Sequence, residues 1–214
     1  MSRPDFIAPE NDKYSDIQWW DEEFKKCKKG DIYEWYTNAK EFWDILNKFL
    51  KEFHGNDISI LNLGCGISKV QDFIYDQGYK NITNCDGSPS CISLMKSEDT
   101  RGMKWDVVNL LERFPYSDSS FDFALDKATL DALITEKADK WEPDPEAFEI
   151  SEKYFKEVDR VLKPDGIFIQ ISFGQPHFRR KLFERDIYNW DVEVQTIQPG
   201  QGFHFFLYIC KKKK

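Results

Sequence analysis

Ile58–Gly66 reads ISILNLGCG: an apolar run that breaks into a glycine-punctuated turn just ahead of Lys69 to Asp76, a stretch with helical character. Ile58, Ile60, Leu61 and Leu63 are too uniformly apolar for a strand with one wet face, which predicts a strand buried on both sides of a parallel sheet. Gly64 and Gly66 end it. Glycine permits the tight turn and, lacking a Cβ, lets a ligand lie against backbone N–H groups at the N-terminus of the next helix, for which Ser68 is a fitting N-cap. Glycines at a strand–turn–helix junction also serve close packing, and a GxG alone does not separate the two uses.

Asn81 to Cys85 reads as a short second strand with Asp86 at its end, 20 residues past Gly66. A βαβ unit presents a carboxylate to a ribose 2′-OH at that position. The dinucleotide motif has a third glycine, whereas here Val70 to Ile74 is ordinary helix. No pyrophosphate has to approach, so the pattern suits an adenosine ligand without phosphates. The alternative is that Asp86 is a solvated loop acid.

The chain has 214 residues and a net charge of −8, enough length for one domain and a charge that argues against broad binding to a nucleic-acid backbone while leaving room for a basic protein partner. Five cysteines without a CxxC pair, accompanied by three histidines, suggest neither a disulfide framework nor a metal site. Met1 to Glu10 lacks an apolar core of the signal-peptide kind, and no stretch approaches 18 apolar residues, so a cytoplasmic protein without membrane spans is expected.

Met1 to Lys13 is polar with two prolines and is expected to be mobile. Tyr14 to Phe24 reads as an amphipathic helix with Ile17, Trp20 and Phe24 at helical spacing; it either plugs one end of the sheet or covers a ligand. YEWY at Tyr33 to Tyr36 leads into a long helix from Ala39 to Phe53. After the glycine turn come a helix from Pro89 to Lys96, strands from Met103 to Val108 and Phe121 to Leu125, and a helix from Glu146 to Leu162 stopped by Lys163-Pro164-Asp165-Gly166. A strand from Ile167 to Ile171, a helix from Phe178 to Tyr188, and two strands from Val192 to Ile197 and Phe203 to Ile209 across the turn Pro199 to Gly202 complete the chain. Lys211 to Lys214 reads as a disordered basic tail. Alternating strands and helices predict an α/β fold: a seven-stranded, mostly parallel sheet with helices on both faces and one reversed strand near the C-terminus.

That order, with GxG after the first strand and an acid after the second, resembles the seven-stranded, Rossmann-like class I methyltransferases that use S-adenosylmethionine. More specific segments are Tyr14, Trp20-Asp21 with Phe24, Tyr33-Glu34-Trp35, GCGIS, Phe121-Asp122 through Asp126-Lys127-Ala128-Thr129-Leu130-Asp131, Pro176-His177-Phe178-Arg179 and Gly202-Phe203-His204-Phe205. Together they closely resemble the lysine methyltransferases of translation elongation factor 1-alpha, in particular the branch associated with endothelin-converting enzyme 2.

The resemblance implies S-adenosyl-L-methionine as cofactor and S-adenosyl-L-homocysteine as product, in a single domain spanning 1–214 with residues 14–36 covering the cofactor. Gly64 and Gly66 would meet its methionine part, Asp86 its ribose hydroxyls, and Val108 and Asn109 the adenine. Asn109 replaces an acid common in the family, and its amide oxygen still accepts from the adenine amine. Gly87 stands where a larger side chain usually flanks the adenine. Trp20, Phe24 and Trp35 match aromatic positions that close over the cofactor, where ring faces attract a sulfonium cation and exclude water. Lys127 matches a position near the cofactor; the alternative is an ammonium paired with Asp126 or Asp131. Asp126 and Asp131 are the candidate catalytic residues, expected to grip and orient the incoming lysine ammonium rather than act as bases, while Asp131 alternatively caps the following helix. The implied activity is protein-lysine methylation of elongation factor 1-alpha by a monomer, with Glu136 a further acid at the mouth. A small-metabolite methyltransferase and an idle adenosine-binding protein are the alternatives.

Overall fold

The computed structural model describes residues 6–135, 142–198 and 203–214. Glu136 and the turn Pro199 to Gly202 lie outside them. Seven strands, β1 (Ser59–Leu63), β2 (Asn81–Asp86), β3 (Lys104–Val107), β4 (Phe121–Lys127), β5 (Leu162–Ser172), β6 (Trp190–Ile197) and β7 (Phe205–Lys212), form one sheet in the order β3-β2-β1-β4-β5-β7-β6. Only β7 runs antiparallel to its neighbours β5 and β6. The expected α/β fold with one reversed strand is therefore the one observed.

Among the described residues seven α-helices accompany the sheet: α1 (Ile17–Lys26), α2 (Ala39–Leu50), α3 (Val70–Asp76), α4 (Pro89–Glu98), α5 (Thr129–Leu133), α6 (Pro145–Val161) and α7 (Pro176–Phe183). Strand alternation divides the core. Ile60, Ile82, Phe123 and Ile169 join one buried cluster with Phe42 and Leu46 of α2 and Val70 and Ile74 of α3. Leu61, Leu63, Ala124 and Phe168 join the other, with Tyr154, Phe155 and Val158 of α6 and Phe183 of α7. A strand whose successive side chains enter opposite cores has no wet face, which is why β1 carries Ile60, Leu61 and Leu63, with Asn62 buried and hydrogen-bonded to Asn84.

Four local expectations are corrected. Phe6 is buried against Trp20, Phe24 and Tyr33, so packing begins well inside the stretch expected to be mobile, and a short 3₁₀ helix (Asn11–Ser15) precedes α1. The tail is not free: Lys211 and Lys212 belong to β7, Lys211 pairs with Glu52 at 2.7 Å, and Lys213 pairs with Asp191 at 3.0 Å. β5 starts directly after α6, because pairing passes from Phe121–Leu162 to Phe123–Ile167 and Lys163 to Gly166 bulge out of the ladder. Helix α5, not anticipated as a separate element, starts after Ala128, whose φ of 75° turns the chain sharply at the end of β4.

Among the described residues no helix is long and apolar enough to cross a membrane. The strand order reverses between β1 and β4, and open α/β sheets bind ligands outside the carboxyl ends of strands at such a switch point.

Candidate active site

A cavity of about 360 Å³ opens at that switch point, within the size range of small-molecule sites. Its floor comes from Gly64 to Ser68, Asp86-Gly87 and Val108 to Leu111, one wall from Lys127 to Thr129 with Asp131, and its cover from Phe6 and the segment Tyr14 to Tyr36. The ten residues expected around the cofactor thus line one cavity, and so does Asp131.

The two glycines do different things. A Cβ on Gly64 would lie 2.1 Å from Thr129 Oγ1, so glycine is required there by a neighbouring side chain rather than by a ligand. Gly66, at φ 49°, has nothing nearer to its Cβ position than Phe24 at 3.9 Å, and its N–H donates to Asp86 at 3.0 Å. Gly66 is the glycine whose missing side chain leaves room in the cradle.

Asp86 also accepts from the Ser88 N–H at 2.9 Å. Burial pushes its carboxyl above the ordinary value, against the pull of these N–H donors. Each oxygen keeps a lone pair for a ligand hydroxyl, which suits a ribose. Asn109 accepts from the Leu111 N–H through its oxygen and donates to Glu112 through its nitrogen, both at 3.0 Å. Its amide is thus committed to a local turn, and the expected contact with an adenine amine has only the remaining lone pair of its oxygen.

The cover is mostly aromatic, with Ser15 and Ile17 the exceptions. Trp20 stacks on Phe24 with centroids 5.8 Å apart, meets Trp35 at 6.3 Å, and is fixed by its Nε1 donating to the Tyr14 carbonyl at 2.8 Å. The segment lines the cavity, as the covering reading requires.

Lys127 lines the cavity, and the partner of its ammonium is neither Asp126 nor Asp131, the two acids of the alternative reading. Its ammonium is buried against the Glu34 carboxylate. Glu34 also accepts from Ser68 Oγ and the Lys69 N–H, both at 2.8 Å, and so caps α3 from the covering segment. Burial lowers the Lys127 pKa while Glu34 opposes it. Glu34 entered the sequence reading only within a matched segment; an acid set between Tyr33 and Trp35, rings that must be buried, was the available signal.

Asp126 does not line the cavity. It is fully buried on the α6 side, accepting from Tyr154 Oη at 2.9 Å and from the Thr129 and Leu130 N–H groups at 2.7 and 3.1 Å. Burial pushes its carboxyl up to about 7. It caps α5 and cannot grip an acceptor, because alternation along β4 sends Asp126 to one face and Lys127 to the other.

Asp131 does face the cavity, but its oxygens accept from Tyr36 Oη at 2.8 Å, Ser172 Oγ at 2.7 Å and the Phe173 N–H at 3.0 Å, with Arg179 Nη2 at 3.4 Å. It ties the covering segment to the ends of β5 and α7. Tyr36, which the sequence reading did not single out, has its hydroxyl pKa raised by burial and by Asp131, so it remains a donor.

Residues 61–170 match the methyltransferase domain model. The bovine (Bos taurus) protein named EEF1A lysine methyltransferase 4 is 30% identical over 210 residues, covering 97% of this chain and 80% of the relative. In fold, the chain is similar to a SAM-dependent methyltransferase from Methanosarcina mazei, with TM-score 0.57 at 20% identity, covering 77% of this chain and 97% of the other. It is also similar to the 1,6-didemethyltoxoflavin-N1-methyltransferase of Burkholderia thailandensis, solved with S-adenosylhomocysteine, with TM-score 0.54 at 17% identity, covering 82% and 78%. A cavity at the switch point with an acid after β2 and an aromatic cover, in a chain with these relatives, belongs to the methyltransferase family, and the protein is an S-adenosylmethionine-dependent methyltransferase.

Proposed function

We propose that the chain methylates a lysine side chain of a folded protein, translation elongation factor 1-alpha, in the cytoplasm. The observation that carries this reading is the likeness to a protein named EEF1A lysine methyltransferase 4 over 97% of this chain, covering segment included. The net charge of −8 is complementary to a basic partner.

When bound, S-adenosylmethionine supplies a methyl group on a sulfonium, ready for in-line displacement by a neutral amine. Asp86 would hold the ribose and the Gly66 turn the methionine part, while Trp20, Phe24 and Trp35 would enclose the sulfonium and keep water out. Lysine has a solution pKa near 10.4, so neutralising it at pH 7 costs about 4 to 5 kcal/mol. Exclusion of water from the site lowers that cost, because desolvation disfavours the charged amine. Asp131 acts as a positioning residue: through Tyr36, Ser172 and Arg179 it sets the wall that aims the amine, and alignment contributes as effective concentration. Lys127 and Glu34 neutralise each other beside the cavity, keeping an unpaired charge away from the sulfonium.

Incubation with labelled S-adenosylmethionine and a cell lysate tests the substrate class. Label on one protein band at the mass of elongation factor 1-alpha, weakening as salt is raised, is expected. Label confined to small molecules overturns the protein substrate and leaves the methyltransferase assignment intact.

A further inference from the structure

We propose that Ile17, carried by the covering helix α1, is the apolar face on which the adenine packs, and that position 87 is glycine because Ile17 takes the volume a side chain there would fill. Gly87 is not among the positive-φ glycines, so its backbone does not call for glycine. Space does: a Cβ on Gly87 would lie 2.6 Å from Ile17 Cδ1 and 3.0 Å from Cγ1, with the Val108 carbonyl oxygen next at 3.8 Å.

Ile17 is held over this spot by two anchors. Asp16 caps α1 by accepting from the Gln18 N–H at 2.9 Å, and Asp21, one turn on, accepts from Ser88 Oγ at 2.7 Å and the Ser90 N–H at 2.9 Å. Asp16 fixes the start of α1, and Asp21 fastens the helix to the β2–α4 junction that contains Gly87. Those donors hold the Asp21 carboxyl well below the usual range, so the anchor is charged at neutral pH. Even so, Ile17 remains 47% exposed and borders the cavity together with Asp86, Gly87 and Val108. If a ribose sits at Asp86, the attached base has to lie beyond it, between the ends of β2 and β3, and a flat base covers that exposed isoleucine.

The inference rests on the reading of this cavity as the cofactor site. It makes adenine binding and docking of α1 one event, because the apolar face beside Gly87 is carried by a separate helix. A base can therefore be held firmly only when the cover is in place.

The test is calorimetric titration of S-adenosylhomocysteine and, separately, of 5′-methylthioadenosine, which keeps the base and lacks the amino-acid end. Ile17→Ala is expected to weaken both ligands by about five- to twentyfold, in keeping with lost apolar burial on a partly exposed side chain. Gly87→Leu alone should weaken them by colliding with Ile17. The double variant Ile17→Ala with Gly87→Leu should return to within about threefold of the unaltered protein, since one aliphatic side chain again fills one space. Thermal unfolding without ligand verifies that each variant is folded, and Ile17→Val supplies a milder step. Unchanged affinity in Ile17→Ala, or a double variant as weak as the two losses combined, overturns the inference alone. Failure of the unaltered protein to bind either ligand overturns the cofactor site and this inference together.

Discussion

Glu34 accepts from Lys127, Ser68 Oγ and the Lys69 N–H, so a single carboxylate joins the covering segment, the glycine turn and the end of β4. Glu34→Ala would leave the Lys127 ammonium, with 7% of its side chain exposed, without a counter-charge. Breaking a buried pair by removing one partner costs about 3 to 5 kcal/mol, because the remaining charge is uncompensated. Here the covering segment can shift and admit water, which brings the expectation to about 2 to 4 kcal/mol, or roughly 4 to 16 °C in melting temperature for a chain of this size. Lys127→Met should cost less, about 1 to 2 kcal/mol, because Glu34 keeps its two other donors. The double variant should be more stable than the sum of the single losses predicts, by about 1 to 3 kcal/mol. Urea unfolding of the four proteins, with and without S-adenosylhomocysteine, measures this coupling. Additivity within about 0.5 kcal/mol would refute the pair as an energetic unit.

Asp86→Ala should weaken S-adenosylhomocysteine by about 1 to 3 kcal/mol in calorimetry, since ribose hydroxyls lose a buried acceptor; unchanged affinity would remove Asp86 from the site. For Asp126, the folded value of about 7 lies above the ordinary carboxylate value. Between about pH 4 and 7 the folded state therefore keeps a proton that the unfolded chain has released, and stability should fall as pH rises through that window, by an order of 2 to 4 kcal/mol. Asp126→Asn should flatten this slope in urea unfolding at stepped pH, and an identical slope in the variant would contradict the assignment. Hydrogen exchange in Tyr14 to Trp35 should slow on adding S-adenosylhomocysteine, because a ligand enclosed by rings needs an entry route; equal protection with and without ligand would make the segment a fixed part of the core.

Sequence carried the fold far because β1 has no wet face, the GxG turn is short, and Asp86 sits one βαβ unit later. The cover was legible from aromatic residues too numerous for an exposed helix. The role expected of Asp126 failed for a reason that period-two alternation already contains: neighbours on β4 point to opposite faces, so Asp126 and Lys127 cannot both reach the cavity. Glu34, Tyr36 and Asp21 were not read as site-building residues because their partners are distant in sequence: Lys127 for Glu34, Asp131 for Tyr36 and Ser88 for Asp21. The basic tail misled because charge at a chain end resembles disorder, whereas Lys211 and Lys213 meet acids of neighbouring elements. Nor does a lone GxG reveal that Gly64 makes room for Thr129 while Gly66 opens the cradle.

Protein-lysine methylation is tested most directly by intact-mass and peptide mass spectrometry of purified elongation factor 1-alpha after incubation with this protein and S-adenosylmethionine. A mass gain of one or more methyl groups at a single lysine, abolished when that lysine is replaced by arginine, is the predicted result. An unmodified factor under conditions where the protein binds S-adenosylmethionine and methylates free amines would contradict it.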